Sequence, residues 1–162
     1  MNMVSRQRVI WIAVPLAIGL LVPSLVVFCL QVFVGHIPVS AAVADIMRGQ
    51  FAEGENAFFG AVFGLIPFAA LAAICVRGSR TLTPARLACV GVGGLIGILA
   101  LIIPGHVSVW YPLYGPGRMS STAVLAFIFI PFYCVVTMIV GVIAGWLTSR
   151  LPLFRHMPPP MA

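Results

Sequence analysis

Residues 9–34 read VIWIAVPLAIGLLVPSLVVFCLQVFV, a run with no Asp, Glu, Lys, Arg or His. An α-helix rises about 1.5 Å per residue, so roughly 20 apolar residues cross the hydrocarbon core of a bilayer. This run is long enough to span and to tilt. Three further stretches free of ionisable side chains follow it: Ala57–Val76, Leu87–Ile103 and Thr122–Thr148. The third is short, but Thr83-Pro84 lengthens it, because Thr suits an N-cap and Pro suits the first helical position. Asn56 and Ser121 are the corresponding N-cap candidates for the second and fourth. The pattern predicts an all-α membrane protein. It would have four transmembrane helices, over about residues 9–34, 57–76, 84–103 and 122–148, in one antiparallel bundle. The tail, residues 156–162, is rich in Pro and is expected to be extended and loose.

Composition supports lipid as the solvent. Of 162 residues 62 % are hydrophobic and 7 % charged, against about 25 % charged in a soluble domain. The net charge of +6 comes from Arg in short clusters near the span ends. No basic stripe is long enough to follow a phosphate backbone, which argues against nucleic acid as a partner. Cys29, Cys75, Cys89 and Cys134 lie in apolar runs and form no C-x-x-C pair, so they read as small buried hydrophobes.

The Arg distribution sets the orientation through the positive-inside rule. With the N-terminus inside, Arg6, Arg8, Arg77, Arg80, Arg86, Arg150 and Arg155 are cytoplasmic. Arg48, Arg118 and all three acids (Asp45, Glu53 and Glu55) are then outside. Both termini are predicted to be cytoplasmic, in a multi-pass protein of the cell membrane, most simply a bacterial inner membrane. Trp11 and Trp146 near one face, and Trp110, Tyr111 and Tyr114 near the other, suit headgroup depth. The first run starts like a signal peptide, but it is too long and lacks an A-x-A end. Phe28 before Cys29 argues against a lipoprotein signal. The first helix is therefore expected to be retained.

Of the two outer loops, Gly35–Asn56 holds a stretch from Ser40 to Arg48 that predicts a short helix on the membrane surface. Ser40 would cap it, and Val43 and Met47 would share one side. Pro104–Ser121 is rich in Pro, Gly and aromatics and predicts an irregular loop. Small residues at i, i+4 spacing supply candidate helix contacts. These are Gly60 and Gly64; Gly93 and Gly97, extended back to Cys89; Gly141 and Gly145, flanked by Thr137 and Ser149; and the weaker Ala13 and Ala17. Such stripes can hold the bundle together or bind a partner or a second copy. Pro15, Pro23, Pro67 and Pro131 fall inside the spans; kinks are expected at Pro23, Pro67 and Pro131, either packing features or the unwound backbone of a solute site. Gly35-His36 resembles Gly105-His106, and Ile66-Pro67-Phe68 resembles Ile130-Pro131-Phe132. That suggests a tandem hairpin repeat over 9–80 and 84–150.

Catalytic groups are scarce. Apart from Arg86 in the first turn of the third, where it can snorkel, the predicted spans contain no ionisable side chain of the kind that marks proton relays and ion paths. Ser24, Gln31 and Thr137 are their interior polar groups. His36 and His106 are the candidate metal ligands. Both are placed at outer helix ends, on the side of Asp45, Glu53 and Glu55, with Met47, Met119 and Tyr111 near. Two imidazoles could also hold a haem; otherwise each His simply suits a helix C-terminus. The functional expectation is a non-catalytic accessory, assembly or interaction subunit, in contact with lipid and with other membrane proteins or itself. The alternative is a small oligomeric transporter or channel for a neutral or apolar solute, with a metal or haem enzyme third.

Overall fold

A computed structural model describes residues 3–51, 63–116 and 123–151. Among these the chain is helical throughout, with no strand. Helix α1 (Met3–Cys29) runs on into a π-helical turn, Leu30–Val34. Helix α2 is Val39–Phe51, α3 is Ile66–Gly78, α4 is Pro84–Tyr114 and α5 is Ala123–Thr148. Three stretches, Arg6–Val34, Pro84–Tyr114 and Ile128–Thr148, are long and apolar enough to cross a membrane. They mark a multi-pass membrane protein. The described part of the second predicted span is α3, which is apolar but only 13 residues long.

Several local expectations are corrected. The irregular loop predicted from Pro104 is helical for its first eleven residues, because α4 passes through Pro104 and Pro112 to Tyr114. Ile98, Ile102, His106 and Val109 are all buried, a helical spacing that continues the packed face past the prolines. Packing along that face outweighs the lost proline hydrogen bonds. Thr83 stands at the N-cap of α4, yet its hydroxyl makes no capping bond; Pro84 begins the helix. Ser40 lies inside α2, not at its cap. The helix starts one residue earlier, and the Pro38 carbonyl accepts from the Ala42 N–H at 3.0 Å. Neither Pro15 nor Pro23 ends α1, and Ser24 Oγ donates to the Leu20 carbonyl at 3.0 Å.

The matched tripeptides of the suggested repeat occupy different local structures. Gly35-His36 follows the end of a helix, whereas Gly105-His106 is internal to one. Pro67 opens α3, whereas Pro131 is inside α5. Asn56, Gly60, Ser121, Glu53, Glu55, Arg118, Met119, Arg155, the stretch 57–62 and the tail lie outside the described residues.

Lipid is as apolar as a leucine side chain, so close packing rather than water exclusion holds membrane helices together. Helices α4 and α5 make the tightest contact. A methyl group added at Gly97 would strike the Thr137 carbonyl oxygen; at Gly141, the Gly93 carbonyl; at Gly145, the Cys89 carbonyl. The two stripes therefore meet backbone to backbone, as the close approach of small residues allows. The stripe read at Gly60 and Gly64 is different. Among the described residues nothing lies within 4 Å of where a Gly64 side chain would begin. Gly64 is buried and precedes α3, which begins at Ile66. Ala13 and Ala17 are exposed. The glycines that α1 and α4 offer to large side chains are instead Gly19, covered by Phe68 and Leu65, and Gly91, covered by the Trp11 ring.

The core joins Phe68, Leu71 and Cys75 of α3 to Leu87, Ile98 and Ile102 of α4 and to Cys134 and Met138 of α5. Trp11, Ile18 and Val22 of α1 pack on it. A tight turn links α3 to α4, with Ser79 N–H donating to the Cys75 carbonyl at 2.8 Å and Leu82 N–H to Gly78 at 2.8 Å. Arg77 and Arg80 sit at this turn, Arg86 opens α4 and Arg150 follows α5. The Arg150 guanidinium lies 3.7 Å over the Trp146 ring, a cation–π contact that suits a membrane border.

Candidate functional site at the Asp45 end

At its C-terminal end α1 widens by one residue. Gly35 N–H donates to the Leu30 carbonyl at 2.9 Å, five residues back, and Ile37 N–H donates to the Gln31 carbonyl at 3.0 Å. Single π-turns of this kind occur frequently at functional sites. His36 then takes a left-handed conformation, φ 51°, uncommon for a residue with a side chain. It turns the chain so that Pro38 can start α2 beside the helix just completed. Ala42 is fully buried against the bundle, while Val39, Val43 and Met47 form an exposed apolar stripe.

This reversal gathers three polar side chains from three elements. Gln31, in the π-turn, is 1 % exposed. Its Nε2 donates to Asp45 Oδ2 of α2 at 2.6 Å and to Tyr114 Oη of α4 at 3.1 Å. Both amide hydrogens are thereby used, one in a short charge-assisted bond. The Tyr114 ring also packs against Gly35. Gln31 Oε1 is buried and has no hydrogen-bond partner among the described residues. A buried acceptor left empty costs about 1–3 kcal/mol, so such a group calls for an explanation.

Depth along the helices agrees for the two spans that build the site. Gln31 follows Arg8 by 23 positions, about 35 Å of helix, and His106 follows Pro84 by 22, about 33 Å. Both lengths match what a hydrocarbon core about 30 Å thick requires of a spanning helix. The last two turns of α4 extend beyond that depth and carry Tyr114 to the site.

The predicted metal pair has a different character from the one expected. His36 is exposed beyond the π-turn, whereas His106 is 7 % exposed inside α4. His106 is therefore not a helix-terminal residue, and one ionisable side chain does belong to a long apolar helix. Among the described residues no group of three or more His, Cys, Asp or Glu is placed to hold a metal ion. Gln31, Asp45 and Tyr114 were each visible in the sequence as an interior amide, an outer acid and an interfacial ring. Their union depends on the turn at His36, for which the sequence carries no comparable signal.

Replacing Gln31 by Leu is expected to loosen α2 selectively. Asp45 is exposed and can return to water, so the net loss is roughly 1 kcal/mol. Amide hydrogen exchange should quicken several-fold in α2 and stay unchanged in α4 and α5. Equal protection of α2 in both proteins would contradict the assignment of Gln31 as its anchor.

A second feature lies away from this end. Beside the α4–α5 contact runs an open groove of about 680 Å³, lined among others by Ala88, Val92, Ile96 and Ala100 on one wall and by Val140 and Ala144 on the other. Its lining is almost wholly apolar. No family model matches the chain, and no curated protein or solved structure matches it either.

Proposed function

We propose that the chain crosses the cell membrane four times, with both termini in the cytoplasm, and serves as a non-catalytic accessory, assembly or interaction subunit of a membrane complex. The observation that carries the reading is the interior of the helical body. Among the described residues its buried side chains are apolar apart from Gln31, His106 and Ser149, and the proposed topology puts the first two near the outer membrane edge. Among the described residues the candidate spans hold no carboxylate, and His106 is their one buried imidazole. The described Arg residues support the orientation, since six of them cluster at the α1 start, the α3–α4 turn and the α5 end. A bacterial inner membrane suits this positive-inside pattern.

The alternative, a transporter for a neutral solute, calls for a cavity reaching Pro67 and Pro131. The groove beside α4 and α5 is lined by neither, and both prolines are buried. Gly97, Gly141 and Gly145 are engaged between α4 and α5. The wall of the groove is the surface they leave open to other membrane helices.

Purification from native membranes in mild detergent is expected to yield a stoichiometric protein partner. A monodisperse, partner-free monomer would overturn the reading. Reporter fusions test the topology separately: the C-terminus and the 79–83 turn should report cytoplasmic, and an insertion at Gly49 should report external.

A further inference from the structure

We infer that α2 is an interfacial helix that seats Val39, Val43 and Met47 in the acyl boundary of the outer leaflet, held there by apolar contact and not by lipid charge. Successive residues of a helix are about 100° apart, which divides α2 into three sides. Ala42 and Asp45 take the side toward the bundle, Ala42 by its burial and Asp45 by its bond to Gln31. Val39, Val43 and Met47 run along one flank at four-residue spacing, and all three are exposed. Ala41 and Arg48 lie about 160° and about 140° from Val43, on the other flank, and are exposed as well. A helix braced sideways against the bundle thus has one apolar flank and one flank carrying Arg48.

Continuity with the lipid-facing surface points to what covers the apolar flank. Leu21 and Leu25 of α1 and Phe33 of the π-turn are large exposed apolar side chains, on a stretch apolar enough to cross a membrane. Helix α2 starts at Val39, just after that stretch ends at Val34, and Asp45 is tied back to Gln31 within the π-turn. Its apolar flank is thereby held at the end of a span, where hydrocarbon gives way to headgroups. An amphipathic helix at that level buries its apolar face about 5–10 Å into the headgroup–acyl boundary. Charge has little part in this. Helix α2 carries one acid and one base, Asp45 and Arg48, and the acid is already bonded to Gln31. Helices that rely on anionic lipid instead carry several Lys or Arg on the polar face. The partner is therefore a lipid surface of zwitterionic or anionic headgroups alike.

The test uses the full chain in lipid vesicles, with the fluorescent amino acid dansylalanine replacing Val43 or, as the control, Ala41. Lipids brominated on the acyl chain serve as the quencher. Quenching at position 43 is expected to be about threefold stronger than at position 41, or more. It should be the same in phosphatidylcholine and in mixtures with phosphatidylglycerol, and unchanged in about 0.5 M NaCl, which screens exposed charges within a few ångströms. Equal quenching at the two positions overturns the proposal. So does quenching at position 43 that needs phosphatidylglycerol or is lost in salt. Should the probe at position 43 prevent folding, Met47 takes its place in the same comparison. The outer leaflet is named from the proposed topology, whereas brominated lipid fills both leaflets, so a failure of that topology leaves this result readable.

Discussion

Gly97→Leu is expected to separate α4 from α5 and to cost about 3 kcal/mol or more of stability in detergent micelles. Ordinary overpacking of a core costs about 1–3 kcal/mol, because neighbouring side chains can turn aside. Here the obstacle is the Thr137 carbonyl and the Met138 backbone, which cannot rotate away. The helix axes must move apart, and the reciprocal contacts at Gly93, Gly141 and Gly145 open with them. Total stabilities of about 5–15 kcal/mol make a loss of this size severe. The matching control is Gly64→Ala, where the added methyl meets none of the described residues within 4 Å. That change should stay within about 0.5 kcal/mol. Thermal or denaturant unfolding of the two variants side by side measures both. A Gly97→Leu protein as stable as Gly64→Ala would refute the backbone-to-backbone contact.

Phe68→Ala should release α3 while leaving the α4–α5 pair intact. Phe68 is fully buried and its ring fills the space over Gly19, so it ties α3 to α1. In water-soluble cores a Phe→Ala change costs about 3–5 kcal/mol, part of which is transfer out of water. In a membrane the unfolded reference is already in an apolar solvent, so mainly the packing part remains, roughly 2 kcal/mol. Two native thiols read this out. Cys75 of α3 and Cys134 of α5 are both fully buried. Modification of Cys75 by a lipid-permeant maleimide should accelerate about thirtyfold, the equivalent of that energy. Cys134 should be unaffected. Parallel acceleration of both thiols would mean that the helices unfold as a single unit, against the separate attachment of α3.

The all-helical membrane character was legible because it rests on composition and run length. Val9–Val34 and Thr122–Thr148 differ from the observed helical ends chiefly at the start of α1. The stripes Gly93–Gly97 and Gly141–Gly145 could be read as contact surfaces, since small residues at that spacing have one physical use in lipid. Gly64 shows where such reading stops: spacing does not say what a stripe meets, and among the described residues nothing lies within 4 Å of where its side chain would begin. Pro104 misled for the opposite reason. Local propensity argued for a loop, and the buried line Ile98, Ile102, His106, Val109 prevailed. Of the polar site, the sequence showed three isolated residues. A π-turn and a left-handed His36 bring them together, and neither follows from hydropathy.

The π-turn at Leu30–Val34 can be described as an α-helix holding one residue too many. One residue is about 100° of helical rotation. Deleting a single codon between Val32 and Val34 would let the turn rewind to α-helix and swing everything after it, including Asp45, to another side of the bundle. The polar site could thus be switched off or on by a three-nucleotide change that alters none of its three side chains. For this chain, gaps in an alignment near residue 33 would carry more information about the site than substitutions at Gln31 itself.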